Sequence, residues 1–446
     1  MDRNPDAMEL WRQERPLVIP CPRGAAPGLA AEVAGLGFPV RAETDAAVET
    51  AGTFDDTLKL NLHLRTAQRV LFLLQAFRAT TPGELYGGLL DLPWEAILPD
   101  DGYVSVTSAV DHPTIRDSQF ANVKCKDAIV DRIQKVRGRR PDSGPERTRS
   151  VVHLYWRGKD ARIYLDTSGE PLSRRGYRLI PLDAPLQETL AAALVRATAW
   201  NGTDPFVNPM CGSGTLAIEA TLIARRIAPG LGRSNFGFMH VRGYRAAAWQ
   251  ALREAARLEV LAKPEGRIVA TDIRPEAVEA ARRNARAAGV DRSITFTVCP
   301  FEHTPIPPGR GTLILNPPYG ERMGELAALG DTYRAIGDFL KHKAPGCQGF
   351  VFTGNPGLAK QVGLRTRQRL VFYNGGIECR LLHYDLYAGS RKVREGSAVP
   401  NADGEESRTQ RPLERARPAP APSVGRGPAP KTRWIETHAK KRNPRR

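Results

Sequence analysis

Three short segments of this 446-residue chain bring together residues able to do chemistry. Asn316-Pro317-Pro318-Tyr319 follows the apolar run Leu313-Ile314-Leu315. Its consecutive prolines fix the backbone and leave carbonyls without competing internal N–H donors. An exocyclic amine needs such acceptors. The Asn316 side-chain oxygen and the Pro317 carbonyl can take both amine hydrogens and aim the nitrogen lone pair at a methyl sulfonium, while Tyr319 offers a flat face to a base. Because a methyl on sulfur is already activated, orientation and electrostatic support suffice, and no titrating residue is required. An ordinary turn can also have this composition.

The second segment, Asn208-Pro209-Met210-Cys211-Gly212-Ser213-Gly214-Thr215, opens the apolar run LAIEATLIA. Gly212 and Gly214 there would let the backbone turn tightly and present helix-terminal N–H groups to a ligand. A strand-to-helix turn with no ligand reads the same way. In the third, Ala270-Thr271-Asp272-Ile273, a carboxylate at a strand end is suited to the two hydroxyls of a ribose, or else caps the helix starting near Pro275. A dinucleotide fingerprint places its acidic residue about 20 residues after the glycines. Here two predicted helices and an irregular segment intervene, which disfavours a plain NAD site.

These segments need a scaffold. Beyond about Ala184 the pattern predicts helices over 184–199, 214–227, 245–262, 275–288 and 324–343, alternating with strands near 205–208, 267–271, 294–298, 312–315 and 349–353. Repeated β-α units imply a mostly parallel sheet with helices on both faces, whose strands present ligands at their carboxyl ends. All three segments then converge on one crevice. The run GGIECRLLHYDLY (375–387) predicts a last strand, antiparallel at an edge.

Upstream, the pattern predicts a smaller α/β unit: a strand at LVIPC, a helix through GLAAEVAGL, and a long amphipathic stretch from Leu60 to Phe77. In that stretch Leu62, Leu64, Val70, Leu71 and Leu74 share a face, and Arg65, Gln68 and Arg69 stay in water. Residues 103–110 alternate like a strand, 126–136 read as an amphipathic helix, and 138–149 as a basic turn-rich loop. VVHLYWRG and ARIYLDTSG predict a hairpin turning at Lys159-Asp160. Lys124, Lys126, Arg132, Arg139 and Arg140 form a basic stretch suited to phosphate contact, or simply a solvated surface. The insertion at 232–249, with Phe236, Phe238 and Trp249, either borders the substrate cleft or fills core.

The net charge of +17 favours a polyanionic partner, most often nucleic acid. Residues 391–446 hold 15 Lys and Arg against 6 Asp and Glu, so about half of that excess sits in a Pro-, Ala- and Arg-rich tail that reads as disordered. Six scattered cysteines without a C-x-x-C pair give no expectation of metal or of a disulfide framework. No apolar run approaches the roughly 18–20 residues of a membrane span. The opening MDRNPDAMELWRQERP has no signal-like core, and a cytoplasmic location is expected.

The three motifs in this order, Asn-Pro-Met-Cys-Gly-Ser-Gly-Thr, Thr-Asp-Ile-Arg-Pro and Asn-Pro-Pro-Tyr-Gly-Glu-Arg, resemble the class I methyltransferases that carry a THUMP domain and methylate guanine N2 in RNA, with the bacterial large-subunit ribosomal RNA branch nearest. LHLRTAQRVLFLL, ELYGGLLDLPWEAIL and YLDTSGEPLSRRGYR extend the resemblance over most of 17–389. It implies a Rossmann-like methyltransferase domain at 168–389, mostly parallel with an antiparallel last strand. Before it would come an α+β ferredoxin-like and THUMP module at 1–167 that binds RNA, and after it a basic tail at 390–446. It also implies S-adenosylmethionine (SAM) as cofactor. Asn208, Pro209, Cys211, Gly212, Gly214 and Thr215 would form its loop, Asp272 with Ile273 would meet the ribose, Phe301 would pack on adenine, and Asn316 to Tyr319 would bind the amine. The chain departs from the family's pattern at Asn208 and Pro300, both usually Asp, with Glu302 near the second. Other readings are a transfer RNA guanine-N2 enzyme, an adenine-N6 methyltransferase, and an RNA-binding assembly factor whose catalytic half has decayed.

Overall fold

In the computed structural model, which describes residues 7–115, 117–182, 185–320 and 326–387, two sheets carry the chain. The first half runs α1 (Ala7–Arg12), β1 (Arg15–Pro20), α2 (Ala26–Gly35), β2 (Ala42–Glu43), β3 (Ala47–Gly52), α3 (Phe54–His63), β4 (Leu71–Arg78), α4 (Pro82–Leu90), α5 (Trp94–Ile97), β5 (Tyr103–Asp111), α6 (Ser118–Arg137), β6 (Asp142–Ser143), β7 (Ser150–Arg157) and β8 (Asp160–Asp166). Its strands form one sheet in the order β2-β3-β1-β4-β8-β7-β5-β6.

The stretch from Leu60 to Phe77 is not one element. α3 starts at a capping box in which Thr53 and Asp56 exchange hydrogen bonds, and it ends at His63, where Leu64 turns extended. β4 then pairs with β1 and β8. The leucines therefore serve a helix and a strand, because a short apolar run satisfies either period. Arg65 is not in water: burial pushes its pKa down to about 10. Arg69 pairs with the buried Asp166. The β7–β8 register pairs Arg157 with Asp160, so the turn is Gly158-Lys159, one residue earlier than expected, with Gly158 at φ 54°. α6 begins at Ser118 rather than Lys126, because Asp117 caps it by accepting from the Gln119 amide.

The second half runs α7 (Glu188–Ala197), β9 (Phe206–Asn208), α8 (Thr215–Ala224), α9 (Ala246–Leu258), β10 (Ile268–Asp272), α10 (Pro275–Ala287), β11 (Ile294–Val298), β12 (Thr312–Leu315), α11 (Leu326–Lys343), β13 (Gln348–Thr353), α12 (Pro356–Gln361), β14 (Gln368–Asn374) and β15 (Ile377–Asp385). The sheet order is β11-β10-β9-β12-β13-β15-β14, parallel as far as β13. Both faces are covered, and every residue of β9, β10 and β12 is buried. β15 is antiparallel as expected but does not lie at the edge. It sits between β13 and β14, and β14 takes the edge. That strand starts with Gln368 and Arg369, which hide its period in sequence.

Both sheets belong to one compact unit. A buried polar seam joins them. Asn61 of α3 donates to Thr167 Oγ1 and accepts from Ser168 Oγ, while Arg175 ion-pairs at 2.8 Å with the fully buried Glu219 of α8. Phe236 and Phe238 stack at 5.0 Å and meet Trp249 edge-on, all buried, so the aromatics of the insertion are core. No described helix is long and apolar enough to cross a membrane. The basic tail lies outside the described residues.

Candidate active site

The carboxyl ends of β9, β10 and β12 open on one cavity of about 1020 Å³. After β9 the chain turns through Met210 (φ 55°), Gly212 (φ 54°) and Gly214 (φ 83°), which starts α8. A Cβ on Gly214 would stand 2.8 Å from that of Ala281, so glycine here permits the close approach of α8 to α10. The Cys211 amide donates to Thr271 O at 2.8 Å, which ties the loop to β10.

Asp272 completes that tie. Its Oδ2 accepts from the Gly212 amide at 2.9 Å and its Oδ1 from the Arg274 amide at 3.1 Å. The residue before α10 is Arg274, with no side-chain cap, so Asp272 is not that helix's N-cap. Each carboxylate oxygen has two lone pairs and so keeps one for a hydroxyl. Ile273, 65% exposed, stands at the rim.

β12 delivers Asn316, whose Oδ1 accepts from the Tyr319 hydroxyl at 2.6 Å. Burial pushes the Tyr319 hydroxyl far above its ordinary pKa, so it stays a protonated donor at neutral pH. Two further groups clamp the loop. Tyr333 donates to Pro318 O at 3.3 Å, and Asn355 Nδ2 donates to Tyr319 O at 3.1 Å. Among the described residues none donates to the Pro317 carbonyl.

Cys211, Gly212, Thr215, Asp272, Ile273, Phe301 and Asn316 to Tyr319 all line the cavity, as do Pro300 and Glu302. Phe301 packs edge-on to Phe339 at 5.8 Å. Asn208, Pro209 and Gly214 lie off the wall. Asn208 is buried, and its Nδ2 donates to Ile314 O at 3.0 Å, joining β9 to β12 as a carboxylate at this position could not. Its Oδ1 is a buried acceptor without a protein partner. Sequence reasoning missed Leu182, Leu186, Thr332, Asn374 and Ile377 on the wall, and Tyr333 and Asn355 behind it.

The five basic residues do not share one face. On α6, steps of about 100° per residue separate Lys124, Lys126 and Arg132. Arg132 pairs with Glu95 at 2.8 Å, Lys126 with Asp127 at 3.5 Å, and Arg139 donates to Asp100 O. Arg140 is exposed beyond the helix end.

Residues 175–383 match the RMKL-like methyltransferase domain, and residues 16–71 match the RlmL ferredoxin-like domain. The ribosomal RNA large subunit methyltransferase K/L of Syntrophotalea carbinolica is 38% identical over 375 residues, which are 82% of this chain and 53% of that protein. The chain thus spans about half the length of the curated relatives it matches. Of solved structures, SMU.472 complexed with SAH aligns at a TM-score of 0.76 and 28% identity, over 85% of this chain and 100% of that one. A protein named a predicted N6-adenine-specific DNA methylase, from Listeria monocytogenes str. 4b F2365, aligns at 0.75 and 29% identity, over 86% of this chain and 99% of that one. Residues 175–383 are an RMKL-like methyltransferase domain, with an RlmL ferredoxin-like domain ahead of it at residues 16–71.

Proposed function

We propose that this chain transfers the methyl group of SAM to N2 of a guanine in large-subunit ribosomal RNA, in the cytoplasm, with residues 1–167 as the ferredoxin-like and THUMP module that holds the RNA. One observation carries the reading: Gly212, Asp272 and Asn316-Pro317-Pro318-Tyr319, from three separate strand ends, line one cavity.

The residues present fit SAM. The cavity volume is at the upper end of the range for small-molecule sites, room for a nucleoside cofactor and a target base. Asp272 offers the ribose two acceptors and Phe301 offers adenine an apolar face. SAM supplies a methyl already activated on a sulfonium. The chain's task is placement. Asn316 Oδ1 and the Pro317 carbonyl hold the two hydrogens of the target amine, and these acceptors gain strength as the nitrogen becomes cationic, so they favour the transition state over the ground state, and the methylated nitrogen then releases one proton to water in the open cavity. Tyr319 holds the oxygen end of the Asn316 amide.

Ribosomal RNA as substrate is supported by the K/L relatives and by the chain's positive charge. Incubating the full chain with methyl-labelled SAM and unmodified ribosomal or transfer RNA tests it. Label is expected in ribosomal RNA. Label in neither RNA, with SAM bound by calorimetry, overturns the proposal. The name of the Listeria protein favours a second reading, adenine N6, whose amine the same two acceptors would hold.

A further inference from the structure

Residues 172–182 run from the end of the first sheet to the cavity wall and are tied at both ends. At the start, the Leu172 amide donates to Gln68 O at 2.8 Å, and Arg175 donates to Arg65 O at 2.6 Å. Further on, Arg178 pairs with Glu188 at 2.8 Å and reaches Ser213 Oγ at 3.3 Å. Leu182, Ser213 and Gly212 all line the cavity.

Asn284 makes the central tie. It lies in α10 at 1% exposure, among Ala277, Ala280, Ala281 and Ala285. Its Oδ1 accepts from the Leu179 and Ile180 amides at 2.9 and 3.0 Å, and its Nδ2 donates to Ser213 O and Ile180 O, both at 3.1 Å. One buried amide thus satisfies backbone groups of the strap and of the glycine loop together. The helix itself needs only an alanine there. A buried amide among alanines is costly unless every hydrogen bond is made, and here both its acceptor and its two donors are used.

We propose that Asn284 is a positioning residue that makes the Gly212-Ser213-Gly214 loop and the strap 172–182 one mechanical unit, so that filling the Asp272 end of the cavity is felt in the segment leading to the N-terminal module. This rests on the SAM reading above. Coupling of this kind is reciprocal: RNA that orders the strap tightens the cofactor site by the factor with which the cofactor tightens RNA binding.

Hydrogen exchange of the full chain with and without SAH, together with SAH calorimetry, tests it. In the wild type SAH should slow exchange at 212–214 and at Leu179 and Ile180 together. Asn284→Asp keeps the acceptor and loses both donors. It should retain SAH-dependent protection at 212–214, lose it at 179–180, and bind SAH about tenfold more weakly. Arg178→Lys, which keeps the charge beside Glu188 but shortens the reach to Ser213, should weaken the same coupling without a buried vacancy. Wild-type coupling and affinity in both variants overturn the inference. A wild-type chain that binds no SAH overturns the cofactor reading instead.

Discussion

The Tyr319 hydroxyl and the Asn316 side-chain oxygen stand 2.6 Å apart, donor to acceptor, within one four-residue loop. The oxygen has a second lone pair, so the tyrosine can orient the amide without using up its acceptor. Tyr319→Phe should lower kcat about 5- to 10-fold, the worth of one net hydrogen bond. Asn316→Ala removes the acceptor itself and should lower kcat by about 100-fold or more. Calorimetry should find SAM affinity nearly unchanged in both. Equal loss of binding and turnover in Asn316→Ala would mean that the residue serves the cofactor rather than the amine.

Asp272 should behave in the opposite way. Its oxygens hold the Gly212 and Arg274 amides, and an amide side chain can accept at only one of those positions. Asp272→Asn should weaken SAH by about 100-fold, with kcat at saturating SAM within about threefold of wild type. A large kcat loss with SAH affinity intact contradicts the assignment.

Gly214 combines a φ of 83° with a Cβ position 2.8 Å from that of Ala281. Gly214→Ala should cost about 1–3 kcal/mol in urea unfolding and weaken SAH through displacement of α8. Wild-type stability and affinity would show that the loop relaxes freely.

His153 gives the first sheet a pH dependence. Burial, then the charges of Arg69 and Arg147, push its pKa down to about 3, and Nδ1 bonds Thr107 Oγ1 at 2.9 Å. The folded ring stays neutral while the unfolded chain takes a proton below about pH 6.5, so the unfolded state binds more protons and stability falls as pH drops from about 6.5 toward 3. Urea midpoints measured at pH 7 and pH 4.5 should differ less in His153→Gln than in the wild type. An equal difference would assign the loss to other groups.

Much of the site is legible in sequence because Asn208 and Asp272 end apolar strands and Asn316 directly follows one, and chain order alone sends those ends to one crevice. What is hidden is long-range or ambiguous in period. Asn284 meets partners more than 70 residues away, and only its place among the alanines of α10 signals a buried amide. Leu60 to Phe77 satisfies a helical period and so conceals the break at Leu64. Arg65, charged by type, is buried near Glu219 and Glu32, and Arg69 is consumed by Asp166 at the end of β8. The basic residues near α6 adjoin in sequence but not on one face, because the helix turns them apart and Glu95 draws in Arg132.

The identity of the methylated nucleoside tests the account most directly. Ribosomal RNA incubated with SAM and the full chain, digested to nucleosides and resolved by mass spectrometry, should contain N2-methylguanosine, and the Asn316→Ala reaction should contain none. N6-methyladenosine in its place, or N2-methylguanosine formed equally by Asn316→Ala, would contradict it.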